Sequence, residues 1–563
     1  MGMRFRCALL TCALGAGQAL AAPADLLITN ARVWTVDAQQ PWAEAVAIRG
    51  DRIDWVGKRA DTAAHTGPDT KVVDAAGRLL LPGFVDCHFH ALLGSNPDVL
   101  RIDADDLPGI RAQIEAFAKA RPELPWIEAE GWNYSAFPGG TLPTAADLDG
   151  LAGGRPMFLT AYDYHTVWMN RAGLQRFGIN RETAGVSFAE EVQKDAAGDP
   201  TGILIGFGSA GLSAQAEGEL RAHLPSHAPE AIARAVRDNV AAAVRSGITT
   251  VVEPQSDPED VELYQRLRAN GELPARMQVA LFHRRGATDA DLARFVQIRE
   301  RFADDRLRVS AIKLYIDDVI EPHTAAMLAP YSDRPLESGN LLYPPAEFSD
   351  VLTRIDKLGF QVFIHSIGDR GVRTSLDALA AVQRNNGVRD SRHQLVHVEA
   401  ISPKDIPRFR ELGVTACMQP RHSAPDITGQ WARAVGPERS QYAWALRSLR
   451  DAGAPLAFAS DWNVAEMEPV IGIYTAMTRK GLDGEPAAGW IPAQAIDLET
   501  AIRGYTLGSA EANFLEKDRG SVTAGKYADL VLLSEDLFRI PPSRIKDVRA
   551  VMTLVGGAVV HAE

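Results

Sequence analysis

The sequence has few cysteines, few aromatic residues and no excess of basic residues. Only 4 of its 563 residues are cysteine, which excludes a small scaffold held together by disulfides. Lys and Arg number 59 against 72 Asp and Glu, so the formal net charge of −13 disfavours binding to nucleic acid or to an anionic membrane surface. After residue 21 no stretch reaches about 18 uninterrupted apolar residues, so we expect no transmembrane helix in the mature chain.

The N-terminus has the pattern of a secretory signal peptide. Residues 1–21 begin with a basic segment, continue with an apolar run and end in a small-residue cleavage site of the Ala-x-Ala type. A short membrane anchor and lipidation at Cys12 stay open as alternatives. Cleavage after Ala21 leaves Cys87 and Cys417 as the two cysteines of the mature chain. We therefore expect a periplasmic or secreted protein that is not attached to a membrane once the signal is removed.

Two β-rich ends flank a long middle part of the chain. Residues 25–81 and 528–560 contain short apolar runs separated by turn residues such as Asn30. Hydrophobic residues make up 46% and charged residues 23%, as in an ordinary globular protein, and the length predicts more than one domain. We predict that residues 22–81 and 515–563 together form a small β-sandwich domain and that residues 82–514 form the main domain.

The main domain alternates strand-like apolar runs with helical stretches, which favours a parallel sheet covered by helices. Apolar residues recur at every fourth position from Ile232 to Val244, just before Gly247. Eight runs are candidate strands: 84–88, 248–254, 276–282, 309–315, 361–365, 394–398, 414–419 and 455–461. This count predicts an α/β fold of the (β/α)₈ TIM-barrel type, with its site at the carboxyl ends of the strands. The first connection, residues 91–247, is too long for a loop and predicts a partly folded insertion after the first barrel strand.

The strongest local pattern is the segment 82–90, PGFVDCHFH. Because side chains alternate along a strand, we expect His88 and His90 on one side and Cys87 and Phe89 on the other. Two imidazoles on one face at a strand end can chelate zinc or a similar divalent ion. Two ordinary histidines at the end of a loop are the alternative, since an isolated His-x-His pattern is common.

Three further polar residues close apolar runs elsewhere in the predicted barrel. His365, His397 and Asp461 stand at the ends of the fifth, sixth and eighth candidate strands. The strand ends of a barrel converge on one mouth, and buried imidazoles and carboxylates need partners. Together with His88 and His90 they supply the nitrogen and oxygen ligands of a hydrolytic metal centre. The sequence therefore predicts a divalent metal ion, with zinc preferred.

Six ordered segments carry a resemblance to a known family. They are 81–90 (LPGFVDCHFH), 312–317 (IKLYID), 362–370 (VFIHSIGDR), 396–399 (VHVE), 459–462 (ASDW) and 525–531 (GKYADLV). With these segments the chain resembles the amidohydrolase superfamily, in particular the branch with a long insertion after the first barrel strand, which includes N-substituted formamide deformylases. The resemblance implies a metal-dependent hydrolase. By the same resemblance His88, His90 and Asp461 bind a first metal, and His365 and His397 bind a second metal or orient the substrate.

Lys313 and His165 keep two interpretations each. By resemblance, Lys313 matches the carbamylated lysine that bridges two metals in binuclear members, so one or two ions per chain are implied. A plain lysine paired with Asp317 or Glu253 is the alternative, although an ammonium group inside an apolar run is costly. His165, in the insertion, reaches the substrate or makes a structural hydrogen bond.

The resemblance implies hydrolysis of an amide or another C–N bond in an N-acyl or N-formyl substrate by metal-activated water. Asp461 would transfer the proton, and His397 and His165 are the other catalytic candidates. The same site could hydrolyse an ester, a carbamate or a lactone, and a non-catalytic periplasmic binding protein is the remaining alternative. We expect a small molecule as the partner, exclude nucleic acid, and leave a homodimer open.

Two further features of the sequence concern its departure from the family pattern and the pairing of its cysteines. The segment that contains Lys313 often continues with Asp-Gly in the family, whereas here Asp317 is followed by Asp318. Cys87 and Cys417 lie on the first and seventh candidate strands, which are not neighbours in a closed barrel. A disulfide needs Cα atoms within about 7 Å, so we expect none between them.

Overall fold

The computed structural model describes residues 23–137, 141–210 and 213–563. The predicted signal peptide, residues 1–21, lies outside the described residues. The first described part of the chain forms short strands, which are β1 (Leu26–Thr29), β2 (Arg32–Trp34), β3 (Trp42–Ala43), β4 (Ala45–Arg49), β5 (Arg52–Gly57), β6 (Lys71–Asp74), β7 (Leu79–Pro82) and β8 (Phe84–Asp86).

Residues 99–223 form a sheet of their own with short helices. Its strands are β9 (Val99–Arg101), β10 (Ile127–Trp132), β11 (Met157–Ala161), β12 (Thr166–Met169), β13 (Glu191–Lys194) and β14 (Pro200–Ile205). The helices are α1 (Leu107–Ala120), α2 (Ala145–Leu148), α3 (Arg171–Arg176), α4 (Phe207–Ala210) and α5 (Ala214–His223). The sheet has the order β13-β14-β12-β11-β10-β9, and apolar residues such as Trp132 and Trp168 are fully buried against it.

The remaining part of the main domain alternates strands with helices. The strands are β15 (Ile248–Ser256), β16 (Arg276–Phe282), β17 (Leu307–Tyr315), β18 (Gln361–Ser366), β19 (Gln394–His397), β20 (Thr415–Met418) and β21 (Leu456–Phe458). The helices are α6 (Pro229–Arg245), α7 (Pro258–Ala269), α8 (Asp289–Arg301), α9 (Pro345–Lys357), α10 (Asp369–Asn386), α11 (Ile406–Leu412), α12 (Gly429–Val435), α13 (Pro437–Ser440), α14 (Leu446–Asp451), α15 (Pro469–Thr478), α16 (Leu498–Arg503) and α17 (Ser509–Ala512). The last strands of the chain are β22 (Leu530–Leu533), β23 (Ala550–Val555) and β24 (Ala558–Ala562).

Strands from both chain ends share one sheet, in the order β24-β23-β22-β7-β2-β3. A second sheet has the order β5-β4-β1-β6. Their apolar side chains belong to one buried cluster that draws on both ends of the chain and includes Val33, Val46, Leu80, Leu530 and Leu554. The limits predicted for the domains stay a prediction.

The eight candidate strands of the barrel are confirmed. β8 and β15–β21 form one eight-stranded sheet whose strands are parallel and follow each other in chain order. The helix expected before Gly247 is α6, which begins at a proline and ends where Gly247 adopts a φ of +84°. Its Val236, Val240 and Val244 are buried in the barrel core, each stabilising the fold by roughly 1.5–3 kcal/mol.

The barrel closes between its first and last strands. The N–H of Cys87 donates to the carbonyl of Phe458 (3.3 Å), and the N–H of Asp461 donates to the carbonyl of His88 (2.9 Å). β8 ends at Asp86 and β21 ends at Phe458, both earlier than predicted. The chain leaves strand geometry at these residues, and the polar residues that follow lie on loops. His88, His90 and Asp461 therefore stand just beyond the strand ends.

The expectation that Cys87 and Cys417 stay unpaired is wrong. The two residues form a disulfide with their Cα atoms 6.7 Å apart. Both sulfurs lie inside the barrel, so Cys87 does not point away from the interior as strict alternation predicts. The strand between them, β21, contributes only small side chains to this interior cluster, Ala457 and the adjoining Ala459. Side chains from alternate strands meet inside a barrel, which brings the first and seventh strands within reach of each other.

Across residues 23–137, 141–210 and 213–563, no helix combines the length and the apolar character needed to cross a membrane.

Candidate metal centre and active site

Three predicted ligands meet at the carboxyl end of the barrel. One carboxylate oxygen of Asp461, Oδ1, lies 3.4 Å from Nε2 of His88 and 3.3 Å from Nε2 of His90. The three donor atoms lie within 4.8 Å of one another. In the described part of the chain, this is the group of His, Cys, Asp or Glu side chains that lie close enough together to hold an ion. Tetrahedral zinc, with bonds of about 2.0–2.2 Å, places its ligand atoms roughly 3.3–3.6 Å apart. The residues present therefore fit a divalent metal ion.

The protonation states suit metal binding. Burial and the nearby Lys313 hold the pKa of His88 well below its usual value, which keeps the imidazole neutral. Both ring nitrogens of His88 are buried without a hydrogen-bond partner. Burial alone would raise the pKa of Asp461, but the histidines around it outweigh burial and hold that pKa well below its usual value. A neutral imidazole with unused nitrogens beside an ionised carboxylate is the donor set that zinc prefers.

Asp86 fixes the two loops that carry these ligands. Its carboxylate accepts hydrogen bonds from the N–H of His88 (3.1 Å), the N–H of Ser460 (3.1 Å) and the hydroxyl of Ser460 (2.6 Å). Asp461 itself adopts a φ of +59°, which is rare for a residue other than glycine. The buried carboxylate thus ties the end of β8 to the end of β21 and presents His88 and Asp461 to each other.

His397 and His365 line the same cavity, but they do not belong to the close group formed by His88, His90 and Asp461. Nδ1 of His397 lies 3.6 Å from Oδ2 of Asp461 and 3.1 Å from Oε1 of Gln419. The ring of His365 stacks on Tyr315 with centroids 4.5 Å apart and lies 4.6 Å from the ring of His397. Both histidines are buried, and burial lowers their pKa values, to about 3 for His397. The neutral imidazoles of His365 and His397 therefore line the same cavity as Asp461.

Lys313 is fully buried on β17, and its Nζ has no hydrogen-bond partner among the residues that the structure describes. Burial lowers its pKa to about 7, against the opposing effects of Asp461 and Glu253. Asp317 is not its partner, because that carboxylate accepts the backbone N–H groups of Ile367, Gly368 and Ala326 at 2.8–3.2 Å. A large fraction of Lys313 is therefore a neutral amine near pH 7.

His165 comes from the insertion and lines the cavity. Its Nδ1 contacts the carboxylate of Asp318, the residue at which this chain departs from the family pattern. Burial lowers the pKa of His165, but Asp318 outweighs burial and raises it to about 9. His165 is therefore a protonated imidazolium at neutral pH, 5.7 Å from the ring of His365.

These residues line a cavity of about 370 Å³, which the insertion covers on one side. The insertion contributes Tyr162, Tyr164, His165 and Phe207 to its wall. Barrel loops contribute residues that the strand-end pattern does not reveal, namely Glu321, His422 and Trp444. Glu399 also lines the cavity, and it belongs to a segment that carried the family resemblance. Glu321 and Trp444 lie in turns and His422 lies in a short 3-10 helix, so no strand or helix periodicity marks them as facing the site.

The comparisons with known proteins agree with this geometry. A sequence profile of the amidohydrolase family matches residues 71–561. The protein LONG AFTER FAR-RED 3 of Arabidopsis thaliana is 30% identical over 95% of this chain and 91% of its own length. The N-substituted formamide deformylase of Arthrobacter pascens is 26% identical over 95% of this chain and 98% of its own length.

A solved structure shows the same fold over nearly the whole molecule. An uncharacterized metal-dependent hydrolase from Pyrococcus horikoshii OT3 matches with a TM-score of 0.70 at 20% identity, over 92% of this chain and 99% of that chain. The profile match, the relatives and the carboxyl-end cluster of histidines and aspartate confirm the resemblance seen in the sequence. The chain belongs to the amidohydrolase family of metal-dependent hydrolases.

Proposed function

We propose that this chain is a zinc hydrolase that cleaves an amide or another C–N bond in an N-acyl or N-formyl substrate. The observation that carries the proposal is the position of Asp461 Oδ1, 3.4 Å and 3.3 Å from the Nε2 atoms of His88 and His90, in the wall of the cavity. The similarity to an N-substituted formamide deformylase supports a small N-acyl compound as substrate.

His88, His90 and Asp461 would hold the metal ion. Two neutral nitrogen donors and one carboxylate favour zinc over magnesium or calcium, which prefer oxygen ligands only. The ion would supply an acidified water molecule and a Lewis acid for the substrate carbonyl. Asp86 keeps the two ligand loops in register while the ion is bound.

Asp461 would transfer the proton during hydrolysis. Its second oxygen, Oδ2, faces His397 and stays ionised, so it can accept a proton from the attacking water and return it to the leaving nitrogen. The Nδ1–H of His397 donates to Oε1 of Gln419 (3.1 Å), which holds the imidazole ring beside that carboxylate. His165 stays protonated beside Asp318 and can stabilise negative charge that develops on the carbonyl oxygen.

Lys313 is proposed to carry a carbamate. Its neutral amine can add to carbon dioxide, forming an N–C bond and releasing one proton, and the product turns a buried amine into an anion with two oxygen donors. His365 and His397 would then supply the nitrogen donors of a second metal ion next to it. A lysine with an unpartnered Nζ at this position supports the proposal.

The protein is proposed to work outside the cytoplasm. The signal-like pattern of residues 1–21 supports export, and the buried disulfide between Cys87 and Cys417 supports an oxidising compartment. Its proposed partner is a small molecule that fits a cavity of about 370 Å³.

The proposal is tested with substrates of one shape that differ in the scissile bond. N-cyclohexylformamide and N-cyclohexylacetamide should be hydrolysed, the activity should fall on chelation, and zinc should restore it. The Asp461→Asn variant should keep its fold and lose most turnover, because an amide cannot carry the proton. Cleavage of cyclohexyl formate alone would favour the ester alternative, and ligand binding without any turnover would favour the binding protein.

A further inference from the structure

One wall of the cavity carries two carboxyl groups that neither metal binding nor proton transfer uses. Glu321 lies on the loop after β17, and Glu399 lies on the loop after β19. The hydroxyl of Tyr162 donates to Oε1 of Glu321 (3.3 Å), and the indole N–H of Trp431 donates to Oε2 of Glu399 (2.9 Å). Both carboxyl groups thus have neutral hydrogen-bond donors around them.

Within the part of the chain that the structure describes, neither carboxyl group has a lysine or arginine as a partner. Of the lysines and arginines in the described residues, Arg284 lines the cavity, and it is paired with Asp257 and Glu217. The cationic His165 is held by Asp318. Burial and the nearby Asp163 raise the pKa of Glu321 to about 7, although the imidazolium of His165 acts in the opposite direction. Burial and Glu321 also raise the pKa of Glu399 well above its usual value. Such a pair is costly in the empty protein and gains most from a positively charged ligand.

Aromatic and unpartnered polar groups lie at the same wall. Trp444 lines the cavity next to Glu399, since its backbone N–H donates to the carbonyl of Glu399 (2.9 Å). His422 has its Nδ1 4.0 Å from Oε1 of Glu399. The indole Nε1 of Trp444 and the Nε2 of His422 are buried and have no hydrogen-bond partner, although the two residues are only 2% and 9% exposed. A buried nitrogen without a partner at a cavity wall indicates a group that a ligand satisfies. The Nε2 of His422 can accept a hydrogen bond from the N–H of a protonated amine, whereas the indole N–H of Trp444 only donates, so Trp444 would contribute its ring face.

We propose that Glu321, Glu399, Tyr162 and Trp444 form a subsite for a positively charged group of the substrate, which we call the cation subsite. Carboxylates and aromatic rings together bind ammonium groups through charge and through cation–π attraction. The proposal rests on the proposed function for the scissile bond, and it names the substrate class. The preferred substrate is an N-acylated compound with a second nitrogen that is protonated or quaternary. A substrate with a carboxylate at this end is disfavoured, because that group would be buried beside two carboxyl groups.

The test is a binding measurement, independent of turnover. Choline and 3,3-dimethylbutan-1-ol have the same shape and differ in charge, and their affinities for the zinc-loaded protein are measured by titration calorimetry. Choline should bind about 10-fold or more tightly, as expected for a desolvated cation against carboxylates and aromatic rings. The difference should shrink several-fold in Glu321→Gln and in Glu399→Gln, variants that keep the size of the side chain.

The control is Glu347→Gln, which removes an exposed carboxylate paired with Arg285 outside the cavity wall and should leave the preference unchanged. Circular dichroism and zinc content show that each variant is folded and loaded. Equal affinity for choline and its neutral analogue, or a preference that survives both glutamine variants, would overturn the cation subsite. These outcomes leave the proposed hydrolysis intact, whereas a charge preference in a protein that hydrolyses none of the amides would overturn only the proposed function.

Discussion

The hydroxyl of Ser460 donates a hydrogen bond of 2.6 Å to the carboxylate of Asp86, 374 residues away along the chain. The bond joins the loop after the first barrel strand to the loop after the last one. His88 follows Asp86 by two residues, and Asp461 directly follows Ser460. The spacing between two proposed metal ligands, which follow the first and last strands of the barrel, therefore depends on a hydrogen bond between their neighbours.

Ser460→Ala should weaken metal binding without removing a ligand. Loss of the buried hydroxyl leaves the carboxylate of Asp86 with only backbone donors, which costs about 1–3 kcal/mol of stability and about 10-fold in zinc affinity. Zinc affinity is measured by competition with a chromogenic chelator. Ser440→Ala also removes a buried hydroxyl, one that donates to the carbonyl of Gly436 in α13, and it should change stability but not zinc affinity. Equal zinc affinities in the two variants would contradict the role of Ser460.

His165 should make stability depend on pH. Its pKa is raised to about 9 by Asp318, against about 6.5 in the unfolded chain, so its contribution is fully present below pH 6.5 and is lost as pH rises through 9. The free energy of unfolding should fall between pH 6.5 and 9.5 by on the order of 2 kcal/mol more in the wild type than in His165→Gln. Chemical denaturation at both pH values measures this difference.

His561→Gln, on the terminal strand β24, is the control for this experiment and should follow the wild type. A pH dependence that is the same in His165→Gln and in the wild type would show that the contact with Asp318 does not hold the proton on His165.

Lys313→Ala should lower the metal content if the site holds two ions. The variant loses the anion that the carbamate would supply, so we expect about one zinc per chain in place of two, with partial recovery in short carboxylic acids that occupy the space. Elemental analysis with and without acetate or propionate gives the numbers. Lys526→Ala, in which the lost Nζ donates to the carbonyl of Glu516 near the terminal sheets, should keep the wild-type metal content. One zinc per chain in the wild type, with an active Lys313→Ala that acid does not affect, would leave Lys313 with a structural role.

The mature protein should contain no free thiol. Cys87 and Cys417 are joined inside the barrel, so alkylation of the unfolded chain without reductant should modify neither cysteine, and alkylation after reduction should modify both. The bridge spans 330 residues, and the chain-entropy account gives an upper limit of about 6 kcal/mol for its contribution to stability. Mass spectrometry of the alkylated chain reads the result. Two modified cysteines without reductant would show that the mature protein does not form the bridge.

The barrel could be predicted because its strands are short apolar runs that end in polar residues. Each of His365, His397 and Asp461 closes such a run, so the convergence of strand ends in a barrel was enough to bring them together. The shortening of β8 and β21 could not be predicted, because it depends on hydrogen bonds of Asp86 to residues far away in the sequence. The proposed ligand set thus follows from the pattern, and the spacing of its atoms follows from tertiary contacts.

The disulfide and the contact of His165 with Asp318 lie beyond what a sequence pattern shows. Neighbouring strands are given by chain order, but the distance across a barrel depends on the size of the side chains inside it, here Ala457 of β21 and the adjoining Ala459. Asp318 stood out as a departure from the family pattern, yet its partner lies 153 residues away in an insertion with no clear periodicity. Contacts of this kind depend on how two separately folded parts meet.

The central claim is that His88, His90 and Asp461 hold a metal ion on which hydrolysis depends. Metal content by elemental analysis, in the purified mature protein and in the double variant His88→Ala/His90→Ala, tests it most directly. We expect one or two equivalents of zinc in the wild type. The double variant should lose the ion of this site and should no longer hydrolyse N-cyclohexylformamide. Wild-type protein without metal that no added divalent ion activates, or a double variant with the wild-type zinc content, would contradict it.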